Sequence, residues 1–297
     1  MENTVNSRDN ALNRRYRYGR LAVKALQYLI LTVLGIYLCM PFAIMVLRSF
    51  MPNSAIAEGR IFPLASEWTL ENFRVLFAEN NYFRYSWNTI KIILFNIVAV
   101  PLSASICAYS FARIDWKCKK FVFACVMSTI MIPGAVTQVP VYKLFNDLGW
   151  IPSLKPMMIP AAFGGGAINI FLLRQFMRNV SKEIDEAAKV DGANLFHRYA
   201  FIMLPLCGPI LLYVMVGTFS SAWSDFYGPL VYLGTRSNDP QYYTLAVAIY
   251  KDSFNDTLNK NSLRMAAGTF MSALPAVIFI VYQRKLVDGI MVGAVKG

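Results

Sequence analysis

Ala25–Leu47 is a run of 23 residues with no charged side chain. As a helix it reaches roughly 34 Å, more than the ~30 Å hydrocarbon core of a bilayer. Five further apolar stretches follow: Thr89–Ala112, Phe121–Val141, Met157–Leu173, Leu206–Tyr232 and Met265–Tyr282. Lys91 interrupts the second and Asp225 the fifth; the other four are uncharged. The chain is 56% apolar and 15% charged, with mean hydropathy +0.42. Soluble domains run at about 45–50% and ~25%. Membrane spans account for the excess, so the expected fold is all-α with six transmembrane helices. The first run exceeds a signal-peptide core. Cleavage after the A-x-A triplet at Ala55–Ala57 would make a signal far beyond the usual ~15–30 residues, so the run is expected to stay as an anchor.

The net charge is +12. In a soluble protein this would suggest nucleic acid. Here the basic residues fall between spans and read as topology. With the N-terminus in the cytoplasm, the inner segments hold 18 of the 29 Lys and Arg, the outer loops 10, and Lys91 lies in a span. This predicts a cytoplasmic tail at 1–24, a six-span domain over 25–282 and a cytoplasmic tail at 283–297. Cys39, Cys107, Cys118, Cys125 and Cys207 form no C-x-x-C and read as small apolar fillers. A single histidine, His197, makes no zinc cluster, so no metal site is expected.

The basic segment before Ala25 either lies on anionic headgroups or is a disordered topogenic tail. Trp68, Tyr82, Tyr85 and Trp87 fall in an outer loop, Arg48–Asn88, where their rings suit the interface. Tyr142–Pro156 reads as a short outer loop. Gly164-Gly165-Gly166 in the fourth span marks either a broken helix lining a cavity or close helix packing, and packing is favoured. Pro101, Pro133, Gly134 and Pro275 suggest kinks. Lys91 is expected to snorkel from a span end rather than meet substrate.

A polar segment over 182–204 breaks this apolar pattern. Ser181 can cap a helix with Glu183 and Asp185 in its first turn. Lys182/Glu186 and Asp185/Lys189 are spaced as i,i+4 pairs, and Ile184, Ala187 and Ala188 form an apolar stripe. Gly192 stops that helix and Asn194 can cap a second, with Phe196, Tyr199 and Met203 on one face. Pro205 is placed to start the fifth span. The segment is either an elbow that needs a partner surface or an amphipathic loop lying on lipid.

Glu186-Ala187-Ala188, three residues, Gly192, nine residues, then Ile202-x-Leu204-Pro205 resembles the EAA signature of permease subunits of ABC importers. IFLLRQFMRNVSKEIDEAAKVDGA around it is similar to carbohydrate importer permeases of the maltose-permease type. So are AWSDFYGPLVYL at Ala222–Leu233, with Ser224 where the family has asparagine, and the tail GIMVGAVKG. The likeness is to the smaller of the two permeases.

The resemblance implies the type I importer permease fold, a bacterial inner membrane, and a machine of two permeases, two ATPase subunits and an extracytoplasmic solute-binding protein. The elbow would be a coupling helix, with Glu186, Ala187, Ala188, Asp191, Gly192, Leu195 and Phe196 at the ATPase contact. ATP and magnesium would sit on the partner ATPase. This chain has no G-x-x-x-x-G-K-[ST] and is expected to bind no cofactor and catalyse nothing. Asp225, with Trp223, Phe226 and Tyr227, is either part of the substrate path or an interhelical anchor. Tyr242, Tyr243 and Lys251 fall where the family meets its binding protein. The implied substrate is an oligosaccharide. Arg48, Arg84, Lys91, Arg236 and Lys251 towards the outer side would suit an anionic uronate oligomer.

The alternative is an ion-coupled secondary transporter, which would typically be longer, with paired halves, and has no use for a coupling elbow. A membrane enzyme would need a catalytic cluster that one intramembrane aspartate and one histidine do not make.

Overall fold

The computed structural model describes residues 2–64, 66–234, 240–254 and 261–294. Among them there are helices and turns and no strand. In chain order the helices are α1 (Glu2–Ser49), α2 (Asn53–Ala57), α3 (Glu71–Arg74), α4 (Tyr82–Arg113), α5 (Lys119–Ser128), α6 (Gly134–Asp147), α7 (Lys155–Met158) and α8 (Ala167–Asn179). Then follow α9 (Lys182–Val190), α10 (Leu195–His197), α11 (Leu204–Leu206), α12 (Gly208–Ser224), α13 (Tyr227–Gly234), α14 (Leu245–Phe254) and α15 (Asn261–Ala294).

Four segments are long and apolar enough to cross a membrane: Val23–Ser49, Tyr82–Arg113, Lys155–Asn179 and Asn261–Gln283. Two bent pairs pass the same test, and counting each as one crossing gives six. Each expected span therefore has a counterpart, but two are not straight. The third divides into Lys119–Met131 and Gly134–Asp147, meeting at 102°. Pro133 explains the break. It disfavours the helical region for Ile132, which is extended at φ −82° and ψ 115°. Tyr142, expected in a loop, is consequently helical. The fifth span starts later than expected. Pro205 sits inside α11, the chain turns at Cys207, and α12 begins at Gly208 with Pro209 in its first turn. It also ends earlier, at Ser224, because Asp225 is extended.

At the two ends of the chain the helices overrun the expected tails. α1 starts at Glu2 rather than near Ala25, and α15 continues to Ala294, past the expected boundary at 283; residues 295–297 lie outside the described residues.

The chain forms two compact units, 1–73 with 260–269, and 74–259 with 270–297. In the first, the segment leaving α1 is pinned by Asn72, whose Nδ2 donates to the carbonyls of Ser49 (2.8 Å) and Met51 (2.9 Å). Phe50 packs its ring on Trp68 and Phe73. Gly268 lets α15 approach Met45; a Cβ there would come within 2.9 Å of the sulfur.

In the second unit α4 is the central helix and packs along α8 and α12. Their shared core joins Val100, Ala104, Ala108 and Tyr109 of α4 with Ile170, Leu173 and Met177 of α8, Val214 of α12, and Met203 and Cys207 between the elbow and α12. Tyr82 and Tyr85 are not interface rings as expected. α4 begins early enough to bury them, and Tyr85 packs on Tyr243. Trp68 and Trp87 are half-exposed.

Candidate functional site

The polar segment folds as the elbow its caps predict. The Ser181 hydroxyl accepts from the Glu183 N–H (3.2 Å) at the start of α9. Gly192 takes φ +81° at the end, and Ala193 N–H returns to the Ala188 carbonyl (2.9 Å). This is the left-handed C-terminal cap that glycine makes without Cβ strain. Asn194 Oδ1 then accepts from the His197 N–H (2.8 Å). Beyond α10 the chain makes a π-helical turn over Arg198–Met203.

The faces of α9 differ from those its sequence suggests. Ile184 and Ala187 are exposed, while Asp185 and Ala188 point inward. Asp185 turns from Lys189 to Arg113, the last residue of α4: its Oδ2 lies 3.1 Å from Arg113 Nη1. Arg113 Nη2 also donates to the carbonyls of Met177 and Val180, both at 2.6 Å. One buried guanidinium thus ties α9 to the ends of α4 and α8. The second half of the elbow is held to α4 by a 2.7 Å hydrogen bond between Tyr199 and Ser105 hydroxyls and by the Tyr109–Tyr199 ring contact. Met203 plugs the core, but Phe196, expected on the same face, is 70% exposed.

What remains outward is Glu186, Val190, Asp191, Leu195 and Phe196, with Val190 88% exposed. Between α9 and α10 lies a groove of about 380 Å³ lined by Ala188, Asp191, Gly192, Asn194, His197 and Ile202. Val190, Leu195 and Phe196 thus form an exposed apolar ridge beside this groove.

A second opening, of about 660 Å³, lies between α4, α8 and α12. Its polar lining is Asn96, Asn169, Tyr213, Thr218, Ser221 and Asp225. The triple glycine borders it and serves both purposes weighed above. Gly164, Gly165 and Gly166 all have positive φ, so the fourth span is broken there. Gly165 also lies against α4, where a Cβ would meet the Val100 carbonyl at 2.4 Å. The carbonyls freed by the break are reclaimed by side chains. Asn96 Nδ2 donates to Met157, Ser103 to Ala161 and Asn169 Nδ2 to Gly165.

Asp225 lines this cavity and also caps α13, its Oδ1 accepting from the Gly228 N–H (3.1 Å). The three aromatics expected beside it go elsewhere. Trp223 is buried and its Nε1 donates to the Met271 carbonyl (2.8 Å). Phe226 packs on Tyr250 and Tyr227 is 59% exposed. Lys91 is exposed, with Nζ 3.4 Å from Asn88 Oδ1.

Residues 101–292 match the family model described as "Binding-protein-dependent transport system inner membrane component". The chain belongs to this family. Among curated relatives, the arabinooligosaccharides transport system permease protein of Halalkalibacterium halodurans is 31% identical, over 86% of this chain and 91% of the relative. The maltodextrin transport system permease protein of Bacillus subtilis is 30% identical, over 94% and 98%. Among solved structures, a bacterial ABC transporter involved in the import of the acidic polysaccharide alginate superposes with a TM-score of 0.75, at 20% identity, covering 88% of this chain and 94% of that one. The expected importer-permease fold is therefore the fold observed.

Within that fold, Tyr242, Tyr243 and Lys251 lie together after the fifth span. Tyr243 is buried: Lys251 Nζ bonds its hydroxyl (2.7 Å) and Asn88 Nδ2 its carbonyl (3.1 Å). Tyr242 and Lys251 are only part-buried. Arg236 lies outside the described residues. Sequence reasoning missed Arg113 and every cavity polar residue except Asp225. Asn96 and Asn169 were the available signal, since an amide within an apolar span needs a reason to be there.

Proposed function

We propose that this chain is the translocating permease of an ATP-driven importer, passing an oligosaccharide from an extracytoplasmic binding protein into the cytoplasm. The elbow carries the reading. Its ridge of Val190, Leu195 and Phe196 is free for a partner, while Arg113 fastens its inner face to the membrane helices. An ATPase that seats this ridge gains a handle on α4 and α8 through Arg113 and on α12 through the chain itself. Those three helices wall the cavity. Movement of the elbow can thus open and close the cavity, which is alternating access. ATP and magnesium belong to two partner ATPase subunits, and a second permease completes the pathway. Both chain ends are then cytoplasmic, as is the elbow.

The sugar assignment rests on the relatives' named substrates and on the lining. Amides and hydroxyls recognise sugar hydroxyls by hydrogen bonding, and Tyr213 offers an aromatic face. Among the described residues, that lining has no cation and one carboxylate. A preference for uronates therefore rests on Arg48, Arg84, Lys91 and Lys251 outside the cavity.

The test is purification of the tagged chain in mild detergent with identification of its companions. Recovery of an ATPase and a second permease is expected. Binding proteins loaded with neutral or uronate oligomers are then added to the ATPase assay. A lone chain or homodimer, under conditions that preserve complexes, would overturn the reading in favour of a secondary transporter.

A further inference from the structure

A third opening, of about 470 Å³, lies where α4 ends, α5 begins, and α8 gives way to α9. Cations dominate its wall: Lys120 on α5, Arg174 and Arg178 on α8, and Lys182 at the start of α9. Arg113 also reaches it but is committed to Asp185 and two carbonyls. Lys119 is committed to the Ile114 carbonyl (2.7 Å) and to Asp115, the single acid of the lining. No carboxylate lies within ion-pair distance of Lys120, Arg174, Arg178 or Lys182 among the described residues. Arg174 is held in place by stacking, its guanidinium 4.1 Å from the Phe123 ring centroid, with Nε donating to the Phe111 carbonyl (3.4 Å). Its terminal nitrogens are left for another acceptor. Four like charges around one concavity repel each other unless an anion joins them.

The depth of the pocket in the bilayer identifies that anion. Arg113 ends one membrane-crossing helix, Arg174 and Arg178 lie in the last turns of another, and Lys119 and Lys120 begin a third. This is headgroup level. Directly beside it, Phe121 (71% exposed), Val122 and Phe171 present apolar side chains outward from α5 and α8. We infer that this pocket binds the phosphate of an anionic phospholipid, with the acyl chains lying along the exposed residues of α5 and α8. Basic pockets between membrane helices bind such headgroups in this way. The site lies beside the Arg113 junction, so an occupied pocket would brace the inner end of the elbow.

The experiment uses the complex as purified, exchanged into nanodiscs of phosphatidylcholine with 0 to about 30% phosphatidylglycerol. Native mass spectrometry counts the lipids retained after release. Lys120→Gln and Arg178→Gln change exposed side chains, and Lys189→Gln, outside the pocket, is the control. Each pocket variant is expected to retain phosphatidylglycerol about fivefold less well, since a surface cation contributes on the order of 1 kcal/mol. Phosphatidylcholine retention and the Lys189→Gln protein should be unchanged. Equal retention by all variants would overturn the inference. So would displacement of the lipid by millimolar inorganic phosphate, which would make this a soluble-anion site. Loss of the companion ATPase without loss of lipid would make it a protein contact instead.

Discussion

Arg113 and Asp185 meet at 3.1 Å with 6% and 12% of their side chains exposed, and through them the elbow is joined to the spans. Removing one member of such a pair leaves an uncompensated buried charge, at a cost of about 3–5 kcal/mol. Arg113→Met and Asp185→Leu are each expected to lower the thermal midpoint of the purified complex strongly. The double variant, with both charges gone, should be less destabilised than the sum of the two. It should also hydrolyse more ATP per sugar moved, because the apolar pair cannot hold the Met177 and Val180 carbonyls. A four-protein cycle of midpoints, with uptake and hydrolysis measured in liposomes, decides this. Additive single effects would show that the pair is not a unit.

Gly192 holds φ +81°, and nothing lies within 4 Å of where its Cβ would be. The constraint is therefore on the backbone and not on space. A β-branched residue is strained there by roughly 1–3 kcal/mol, whereas asparagine enters the left-handed region readily. Gly192→Val should insert at normal abundance yet import little, and Gly192→Asn should import nearly normally. Comparing uptake with membrane abundance for the two variants separates coupling from folding. Normal import by Gly192→Val would show that the left-handed cap is not needed for coupling.

The elbow could be read from the sequence because its signals are local. Ser181, Gly192 and Asn194 cap or stop helices through neighbours two or three residues away, and each does so in the structure. Asp185 could not be placed, since Lys189 at i+4 and distant Arg113 are equally plausible partners until α4 is packed. The six apolar spans were legible as runs. The bend at Pro133 was legible too, as a proline inside a run, although its 102° size was not; the turn at Cys207 was not, because no expected kink falls there and apolar composition continues smoothly through it. Trp223 was drawn to the substrate path by its neighbours in sequence, whereas helix phase sends it to Met271.

Gly165 is limited by space as well as by conformation. At φ +62° a Cβ would sit 2.4 Å from the Val100 carbonyl, a backbone atom of a central helix that cannot move aside. Gly164 and Gly166 have positive φ too, but their nearest neighbours are side-chain atoms at 3.8 and 3.9 Å. Alanine at 165 should push α8 from α4 and abolish stable expression. Alanine at 164 or 166 should bring only the backbone strain, about 1–3 kcal/mol. Monodisperse yield in detergent ranks the three. Equal tolerance at all three positions would mean that the α4–α8 contact is slack.

Asp225 has two roles that two substitutions can separate. Its Oδ1 caps α13 through the Gly228 N–H, and its carboxylate faces the cavity. Asn keeps an acceptor for the cap and removes the charge; Ala removes both. Asp225→Asn is expected to assemble normally and to import several-fold less, because the strongest acceptor for a sugar hydroxyl in the cavity is lost. Asp225→Ala should lose a further ~1 kcal/mol of stability through the missing cap. The two variants are compared by thermal midpoint and by initial uptake rate with saturating binding protein. If Asp225→Asn imports at the native rate while Asp225→Ala is unstable, the residue is a helix cap that merely borders the path.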